Sequence, residues 1–374
     1  EKTLTYPDVS AKSKKTQYAE IADGNIIPVS EGEAEFEVSF RFGGEDYTQS
    51  ASLTGIRGKS RASYMTAEKA ETARENVKKY DWARKGVYEK YISSADKYAD
   101  KIDEIYDMIP SEGIPRGNVV GAEGDPDMFV CRYCGANLSL TGGHYPWHHD
   151  PLKHPWKIQC PECKRLFPSN DFAGFYKLGL NEYGEFDVKL AHKRNAELVA
   201  EGKDGFLKNI LYPEKGEDWG VDDGFGYLPN DENGNPRVYE NGVRERHTYI
   251  AEYVHSGLWY YPVKNGRALI SDAVDSCAWA YFYTGEKKYG RCAAILLDRI
   301  ADFYPYYDLL PYARNFWNSH GGGYRGKILG CIWETFAIAE LFAIDYDLVF
   351  DMYDDEYVLD YIRNKSKKIK MHYA

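Results

Sequence analysis

The first pattern of apolar and polar positions has a period of two and lies near the amino end, over residues 33–53. Its apolar members are Phe36, Val38, Phe40 and Phe42. This alternation predicts a strand with one buried face, and Gly43 and Gly44 follow it as a turn signal. We therefore expect a small β element over residues 1–62.

Apolar residues recur at helical spacing in two later parts of the chain. Thr66 precedes an acidic first turn as a candidate N-cap, and the stretch from there to Met108 predicts two helices. Beyond Arg244, further apolar stripes predict helices at 249–258, 270–283, 293–303, 328–342 and 357–369. Short turns such as Thr284-Gly285 imply antiparallel neighbours, and successive helical hairpins are typical of an α/α solenoid or toroid.

The region between these helical parts, residues 110–235, is dense in glycine, proline, aspartate and asparagine. Such composition predicts irregular structure held by local turns and by a metal ion. The expected fold is therefore mainly α: an incomplete α/α toroid over residues 63–374, interrupted at 110–235 by a zinc-ribbon-like insertion, with the small β element in front.

Two cysteine pairs with a spacing of two residues form the sharpest chemical motif. They are Cys131-Arg132-Tyr133-Cys134 and Cys160-Pro161-Glu162-Cys163. Each pair delivers two sulfurs at the bite of a tetrahedral zinc ion, and four cysteines close its coordination shell. We expect a structural Zn²⁺ site with Cys131, Cys134, Cys160 and Cys163 as ligands. Disulfides or unpaired thiols are the alternative.

The loop between the two pairs is rich in histidine and aromatic side chains. The histidines, which could replace a cysteine ligand, are His144, His148, His149 and His154. The other reading is that they, with Tyr145, Trp147 and Trp156, pack the ribbon or pave a sugar-facing surface. The remaining cysteines are Cys277, Cys292 and Cys331, and their apolar helical surroundings favour buried free thiols.

Composition limits the class of partner. The formal net charge of -11 disfavours nucleic acid, because phosphate binding relies on a basic field. No apolar run is long enough to predict a membrane span. Aromatic residues make up 15% of the chain, which suits either clefts for sugar rings or tyrosine-rich helix packing. The start at Glu1 fits removal of a leader or an expression boundary.

One predicted helix carries a group of candidate cleft residues. They are Glu252, Tyr253, His255, Trp259 and Tyr260. His255 follows Glu252 by one helical turn, and a histidine beside a carboxylate can carry a proton or bind a substrate carboxylate. We treat His255 as a candidate catalytic residue and Glu252, Trp259 and Tyr260 as candidate substrate contacts. A histidine satisfied between packed helices is the alternative.

A glycine-rich loop at residues 314–325 carries a second group. Its hydrogen-bonding candidates are Asn318, His320, Tyr324 and Arg325. Loops at the rim of a rigid helical scaffold commonly bind substrates, although an ordinary solvated linker has the same composition. Elsewhere, the glycine-flanked pair Asp222-Asp223 predicts tight turns rather than a second cation site.

Several stretches together resemble one enzyme family. They are Cys131-Arg132-Tyr133-Cys134-Gly135, Tyr145-Pro146-Trp147, Pro155-Trp156-Lys157-Ile158-Gln159-Cys160-Pro161-Glu162-Cys163, Phe167-Pro168-Ser169-Asn170-Asp171-Phe172, Gly179-Leu180-Asn181-Glu182-Tyr183-Gly184-Glu185-Phe186-Asp187, Trp219-Gly220-Val221-Asp222-Asp223-Gly224-Phe225-Gly226-Tyr227, 65–82, Gly326-Lys327-Ile328 and Trp333-Glu334. From about Met65 onward, the chain resembles bacterial heparinase II/III-type polysaccharide lyases that carry a zinc-binding insertion.

The resemblance implies an α/α toroid followed by a β-sandwich, and cleavage of acidic polysaccharides by β-elimination. In that family an asparagine and a histidine handle the substrate carboxylate, and a tyrosine transfers protons. The helix that bears the asparagine and histidine would follow residues 357–369, so we expect this chain to be the amino-terminal part of such a lyase. Asn318 and His320 are the substitutes we consider, with Tyr324 as the tyrosine and Trp333 as a further substrate contact.

Three functions remain open from the sequence. The first is a lyase acting on a uronic-acid-containing, glycosaminoglycan-like polysaccharide. The second is a carbohydrate-binding or scaffolding fragment without turnover, and the third is a zinc-ribbon interaction protein. The expected partners are an acidic polysaccharide and the remaining carboxyl-terminal part of the same protein, and the expected location is extracytoplasmic in a bacterium.

Overall fold

The structure is a computed structural model in two compact units, Glu1–Arg61 and Ala62–Ala374. The residues it describes are 9–13, 17, 19–22, 25–28, 32–55, 60–111, 114, 116, 129–142, 145–227, 249–260, 268–307, 326–329 and 334–366. The described part is mainly helical, with few and mostly short strands. Mainly α character was the prediction, and it is confirmed.

The smaller unit consists of antiparallel strands. They are β1 (Val9–Ser13), β2 (Ala19–Ala22), β3 (Asn25–Pro28), β4 (Gly32–Phe42) and β5 (Glu45–Gly55). Strands β1, β4 and β5 form one sheet in that order, and β2 pairs with β3. Gly43 and Gly44 join β4 to β5 with φ of 64° and 90°, values that glycine adopts without steric cost. The predicted strand with Phe36 on its buried face is β4.

In the described part of the larger unit we number the helices α1 to α12, and two short strands accompany them. The helices are α1 (Ala67–Lys79), α2 (Asp81–Val87), α3 (Ser93–Tyr98), α4 (Ile102–Met108), α5 (Ser139–Gly142), α6 (Phe172–Gly179), α7 (Val188–Ala200), α8 (Tyr249–Glu252), α9 (Leu269–Thr284), α10 (Lys287–Phe303), α11 (Leu341–Leu348) and α12 (Glu356–Lys365). The strands β6 (Ile158–Gln159) and β7 (Leu166–Phe167) form a hairpin. Wider π-helical turns occupy Tyr88–Ile92, Tyr253–Trp259 and Thr335–Glu340.

Helix α9 lies at the centre of the larger unit, where it packs against α1, α3, α10 and α11. Its side chains are buried around nearly the whole circumference, and burying each Leu, Ile or Val contributes about 1.5–3 kcal/mol. The buried carboxylate of Asp272 accepts hydrogen bonds from the Tyr98 hydroxyl at 2.7 Å and the Ser276 hydroxyl at 2.9 Å. These bonds satisfy an acidic group that would otherwise oppose burial.

The carboxyl end of α9 is closed by a glycine and an arginine. Gly285 has φ of 77° and donates its N–H to the Tyr281 carbonyl at 2.7 Å. The Arg74 guanidinium donates to the carbonyls of Phe282 at 3.0 Å and Tyr281 at 3.2 Å. A cation here also opposes the partial negative charge of the helix end. The predicted turn at Thr284-Gly285 is thereby confirmed, and α10 follows it directly.

A second long-range contact joins the start of the larger unit to α11. The carboxylate of Asp347 accepts the backbone N–H groups of Ser63, Tyr64 and Met65 at 2.7, 2.8 and 2.6 Å. Asp347 is buried. The side chain therefore replaces the hydrogen bonds that this extended segment would otherwise make with water.

Several predicted boundaries differ from the structure. Residues 66–108 form three helical segments rather than two helices, because Tyr80 and Lys101 leave helical geometry and divide the stretch; α2 and α3 belong to one segment, joined by the π-helical turn Tyr88–Ile92. Helix α10 starts at Lys287 rather than near 293, since its buried stripe already includes Tyr289 and Cys292. Within 110–235, α6 and α7 are regular, so the prediction of irregular structure is wrong there. Among the described residues, no helix has the length and apolar character needed to cross a bilayer.

Candidate metal centre and histidine-glutamate site

The sulfurs of Cys131, Cys134, Cys160 and Cys163 converge on one point, all within 4.8 Å of one another. The Cys131 and Cys163 sulfurs are 3.7 Å apart, and those of Cys134 and Cys160 are 4.0 Å apart. A tetrahedral ion with sulfur bonds of about 2.3 Å requires sulfur-to-sulfur edges of about 3.8 Å. These separations are too long for disulfides and fit a four-cysteine metal centre.

Two equivalent backbone turns deliver the sulfurs. The N–H of Gly135 bonds the Cys131 carbonyl at 2.8 Å, and the N–H of Lys164 bonds the Cys160 carbonyl at 3.0 Å. Gly135 and Lys164 occupy the same place in their turns, directly after the second cysteine, with φ of 72° and 61°. The repeated geometry follows from the repeated spacing, which the sequence already displayed.

The thiols are poorly suited to remain together without a cation. Burial raises the pKa of Cys131 and of Cys160, against the opposing effect of nearby backbone N–H groups. Burial also acts on Cys134, but there the Ala136 N–H and the neighbouring thiols outweigh it and lower the pKa. A bound divalent cation would stabilise the thiolate form of all four cysteines. The donor set therefore fits a metal ion.

Strand β6 connects the second cysteine pair to the segment that carries His148 and His149. Strand β6 ends at Gln159, next to Cys160, and pairs with β7 on one side. On its other side the backbones of Gln159 and His148 exchange two N–H to carbonyl bonds, both 2.9 Å. Trp147 and Phe167 are fully buried beneath this ribbon, with their rings edge to face at 6.1 Å. The strand that leads into the second cysteine pair thus fixes the position of residues 147–149.

The residue after His148 meets the helix that carries Glu252. His149 Nε2 lies 3.3 Å from Glu252 Oε1, and the side chains are 6% and 0% exposed. The two atoms are within ion-pair distance but lack hydrogen-bond geometry, and within the described part of the chain neither ring nitrogen of His149 has a hydrogen-bond partner. A buried acid and a buried base in contact share one proton readily.

Burial shifts the pKa of Glu252 and of His255. It raises the pKa of Glu252, while His149 and the Ser256 hydroxyl oppose that shift. Burial, and to a lesser extent the charge of His149, lowers the pKa of His255 to about 3. At neutral pH, His255 is therefore an uncharged imidazole.

His255 sits in an aromatic stack. Its ring is parallel to that of Tyr145 at 6.2 Å and near-parallel to that of Tyr260 at 5.3 Å, and the two tyrosine rings are 4.6 Å apart. His255 Nδ1 lies 3.0 Å from the Ser256 hydroxyl. His255 is 4% exposed, and Trp259 is fully buried. The structure thus brings the predicted residues of this helix together, but it buries them.

Seven of the other candidate residues lie outside the described part of the chain: Asn318, His320, Tyr324, Arg325, Trp333, His144 and Cys331. Cys277 and Cys292 are buried free thiols, as predicted. Trp156 is buried between Phe172, Tyr176 and Tyr253, which supports the packing reading for this residue.

The glycine-flanked aspartates form turns. Asp222 Oδ1 accepts the N–H of Gly224 at 2.7 Å, and Asp223 Oδ1 accepts the N–H of Phe225 at 2.8 Å. Asp222 also accepts the Ile250 N–H at 3.1 Å, so it caps the start of α8. Burial and the neighbouring Asp223 raise the pKa of Asp222 to about 6. The turn prediction is confirmed, and among the described residues only the four cysteines bring three or more potential metal ligands together.

Sequence reasoning missed the pairing of His149 with Glu252. It treated His149 only as a competing metal ligand or a packing residue, because no local spacing links two residues so distant in the chain. Comparisons with protein-family models, with curated proteins and with solved structures find no match for this chain.

Proposed function

We propose that this chain acts in the cleavage of a uronic-acid-containing, glycosaminoglycan-like polysaccharide by β-elimination. The motifs around the two cysteine pairs, which resemble heparinase II/III-type lyases, support the reaction class. The helical hairpin of α9 and α10, with its short turn, supports an α/α toroid as the architecture. An acidic polysaccharide substrate agrees with an extracytoplasmic location in a bacterium.

One observation carries the proposal: the buried contact of 3.3 Å between His149 and Glu252, one helical turn from His255. In β-elimination a base removes the C5 proton of the uronate, a double bond forms between C4 and C5, and the bond from C4 to the glycosidic oxygen breaks. The leaving oxygen takes up a proton. The C5 proton becomes acidic enough only when donors neutralise the adjacent carboxylate.

The described residues divide these tasks as follows. Glu252, whose pKa burial raises, and His149, 3.3 Å away, are the proposed partners of the uronate carboxylate. His255, an uncharged imidazole one helical turn from Glu252, is the proposed acceptor of the C5 proton. Tyr145 and Tyr260, stacked at 4.6 Å, are the proposed aromatic wall beside the sugar. Asn318, His320 and Tyr324, with Arg325 and Trp333 as substrate contacts, are the proposed partners from the remaining part of the chain.

The four-cysteine cluster is proposed as a structural zinc site. Its donor set is all thiolate, which favours Zn²⁺ over the oxygen-seeking cations, and four protein ligands leave no position for substrate. The ion would stabilise the ribbon that places His149 against Glu252. The reaction itself proceeds through the side chains alone.

Product formation tests the lyase proposal. The 374-residue chain is incubated with heparan sulfate, chondroitin, hyaluronate and alginate, and the ultraviolet absorbance of the unsaturated uronate is followed. We expect turnover of at least one polymer and a loss of at least about 100-fold in Glu252→Gln. Glu197→Gln, which removes a carboxylate that is 58% exposed on α7, is the matched control and should retain the rate.

A second candidate function is non-catalytic carbohydrate binding, favoured by one specific observation. Glu252 is 0% and His255 is 4% exposed, so substrate reaches them only if the covering aromatic residues move. Under this alternative the chain binds acidic polysaccharides on affinity electrophoresis, yet no unsaturated product appears with any of them. That combination of results would rule out the lyase proposal.

A further inference from the structure

A polar cavity of about 280 Å³ lies beside the ribbon. The titratable side chains that line it are His148, His149, His154, Lys157 and Asp150. Four of these side chains are cationic or become cationic on protonation, against one carboxylate. The cavity also differs from the aromatic stack at His255, since His149 is the one member of the histidine-glutamate site that lines it.

The surroundings of the cavity disfavour the protonated forms of Lys157 and His148. Burial lowers the pKa of Lys157 to about 8, and the carboxylates of Asp171 and Asp222 only partly oppose this. Burial also lowers the pKa of His148, and the charges of Lys164 and His149 lower it further. An anion placed among these groups would relieve both the burial cost and the mutual repulsion.

Hydrogen-bonding groups of His149 and Lys157 also favour an anion in this cavity. The His149 side chain is only 6% exposed, and its Nδ1, the ring nitrogen not facing Glu252, has no hydrogen-bond partner among the described residues. Lys157 Nζ donates to the Pro168 carbonyl at 2.6 Å and to that of Asn170, which uses two of its three N–H donors. Buried polar atoms without partners are costly, so an acceptor in this cavity would be stabilised.

We propose that this cavity binds the carboxylate or sulfate group of an acidic sugar, with His148, His149, His154 and Lys157 as donors. This inference rests on the proposed function and names the part of the substrate that the site recognises. A cavity of about 280 Å³ is large enough for an anionic substituent and the sugar ring that carries it. The same chemistry suits a free inorganic anion, so the test separates the two sources.

Calorimetric titration of the intact zinc-loaded chain tests the proposal with inorganic sulfate, glucuronate and glucose as probes. Glucuronate has no glycosidic bond, so its binding is independent of lyase activity. We expect saturable binding of glucuronate and sulfate and none of glucose. Sulfate binding without glucuronate binding would overturn the assignment to a sugar, and equal binding of glucose would overturn the anionic site.

Two variants test the charge of the cavity directly, one by removing a histidine and the other by removing the carboxylate. His154→Gln should weaken glucuronate binding about fivefold, whereas Asp150→Asn should strengthen it by a similar factor, because Asp150 is the one carboxylate in the lining. Lys193→Gln, which removes a cation that is 72% exposed on α7, is the control and should change nothing. Unchanged affinity in both cavity variants, or weaker binding in Asp150→Asn, would overturn the proposal. Glucuronate binding without any polymer cleavage would count against the lyase function alone.

Discussion

Gly257 lies in van der Waals contact range of the His149 imidazole: a Cβ atom added at Gly257 would be 3.2 Å from Cδ2 of His149. That separation is tight, so the ring must shift by a few tenths of an ångström to admit a methyl group. The glycine therefore makes room for the histidine beside Glu252. This relationship gives the histidine-glutamate site a steric test that leaves both of its titratable groups in place.

Gly257→Ala should displace His149 from Glu252 and destabilise the fold by about 1 kcal/mol through overpacking. The ring carbon signals of His149 in a histidine-labelled sample would report the displacement. Gly86→Ala is the matched control, because Gly86 lies in α2 with open space around the added Cβ. It should leave the His149 signals unchanged and stabilise the fold by about 0.5–1 kcal/mol. Unshifted His149 signals in Gly257→Ala would contradict the packing described above.

Removing one metal ligand should empty the four-cysteine centre. Cys131→Ala leaves three thiols, which hold zinc far more weakly, so elemental analysis should find less than one equivalent and thermal unfolding should begin at a lower temperature. Cys277→Ala removes a buried thiol in α9 that belongs to no cluster of ligands, and its zinc content should remain one equivalent. Equal zinc in both variants would refute the centre.

Asp347→Asn should destabilise the larger unit by about 2 kcal/mol. Its carboxylate accepts three backbone N–H groups, and an amide would turn an NH₂ group toward at least one of these donors. Urea unfolding at neutral pH gives the free energy. Asp360→Asn, whose side chain is 70% exposed in α12, is the control and should change the free energy by less than about 0.5 kcal/mol. A similar small change in Asp347→Asn would mean that water replaces the contact without loss.

The contribution of Asp298 in α10 to the stability of the fold should decline as the pH rises from about 4 to about 7. Burial, together with the charge of Asp302, raises the pKa of Asp298 to about 7. Its Oδ2 atom is buried without a hydrogen-bond partner among the described residues. Since the folded state holds this proton more tightly than the unfolded state, the contribution is complete below the unfolded pKa and lost as pH passes the folded one.

Asp298→Asn removes that titration. The variant should be more stable than the parent by about 2 kcal/mol at pH 8, with the advantage vanishing near pH 4. Urea unfolding at both values measures it. Asp360→Asn again serves as the control, since its exposed carboxylate should add no such pH dependence. An advantage of equal size at both pH values would show that Asp298 is not protonated in the folded state.

The features that the sequence predicts correctly are those that depend on neighbouring residues in the chain. The cysteine turns follow from a spacing of two residues, and α9 follows from an apolar run ending at Gly285, so both are visible in the sequence. The Asp347 contact with Ser63 spans 284 positions, and no periodicity reports it. The His149 contact with Glu252 is likewise tertiary. Helix boundaries such as Lys287 shifted because packing on α9, rather than propensity, decides where α10 begins.

Gln159 precedes Cys160 of the four-cysteine cluster and pairs through its backbone with His148, a wall of the polar cavity. A single residue of this short strand therefore joins the cluster to the cavity wall. Under the two proposals above, chelators or thiol oxidants would loosen that wall. Affinity for an acidic sugar would then follow the zinc supply and redox state of the surroundings, without any contact between the ion and the sugar.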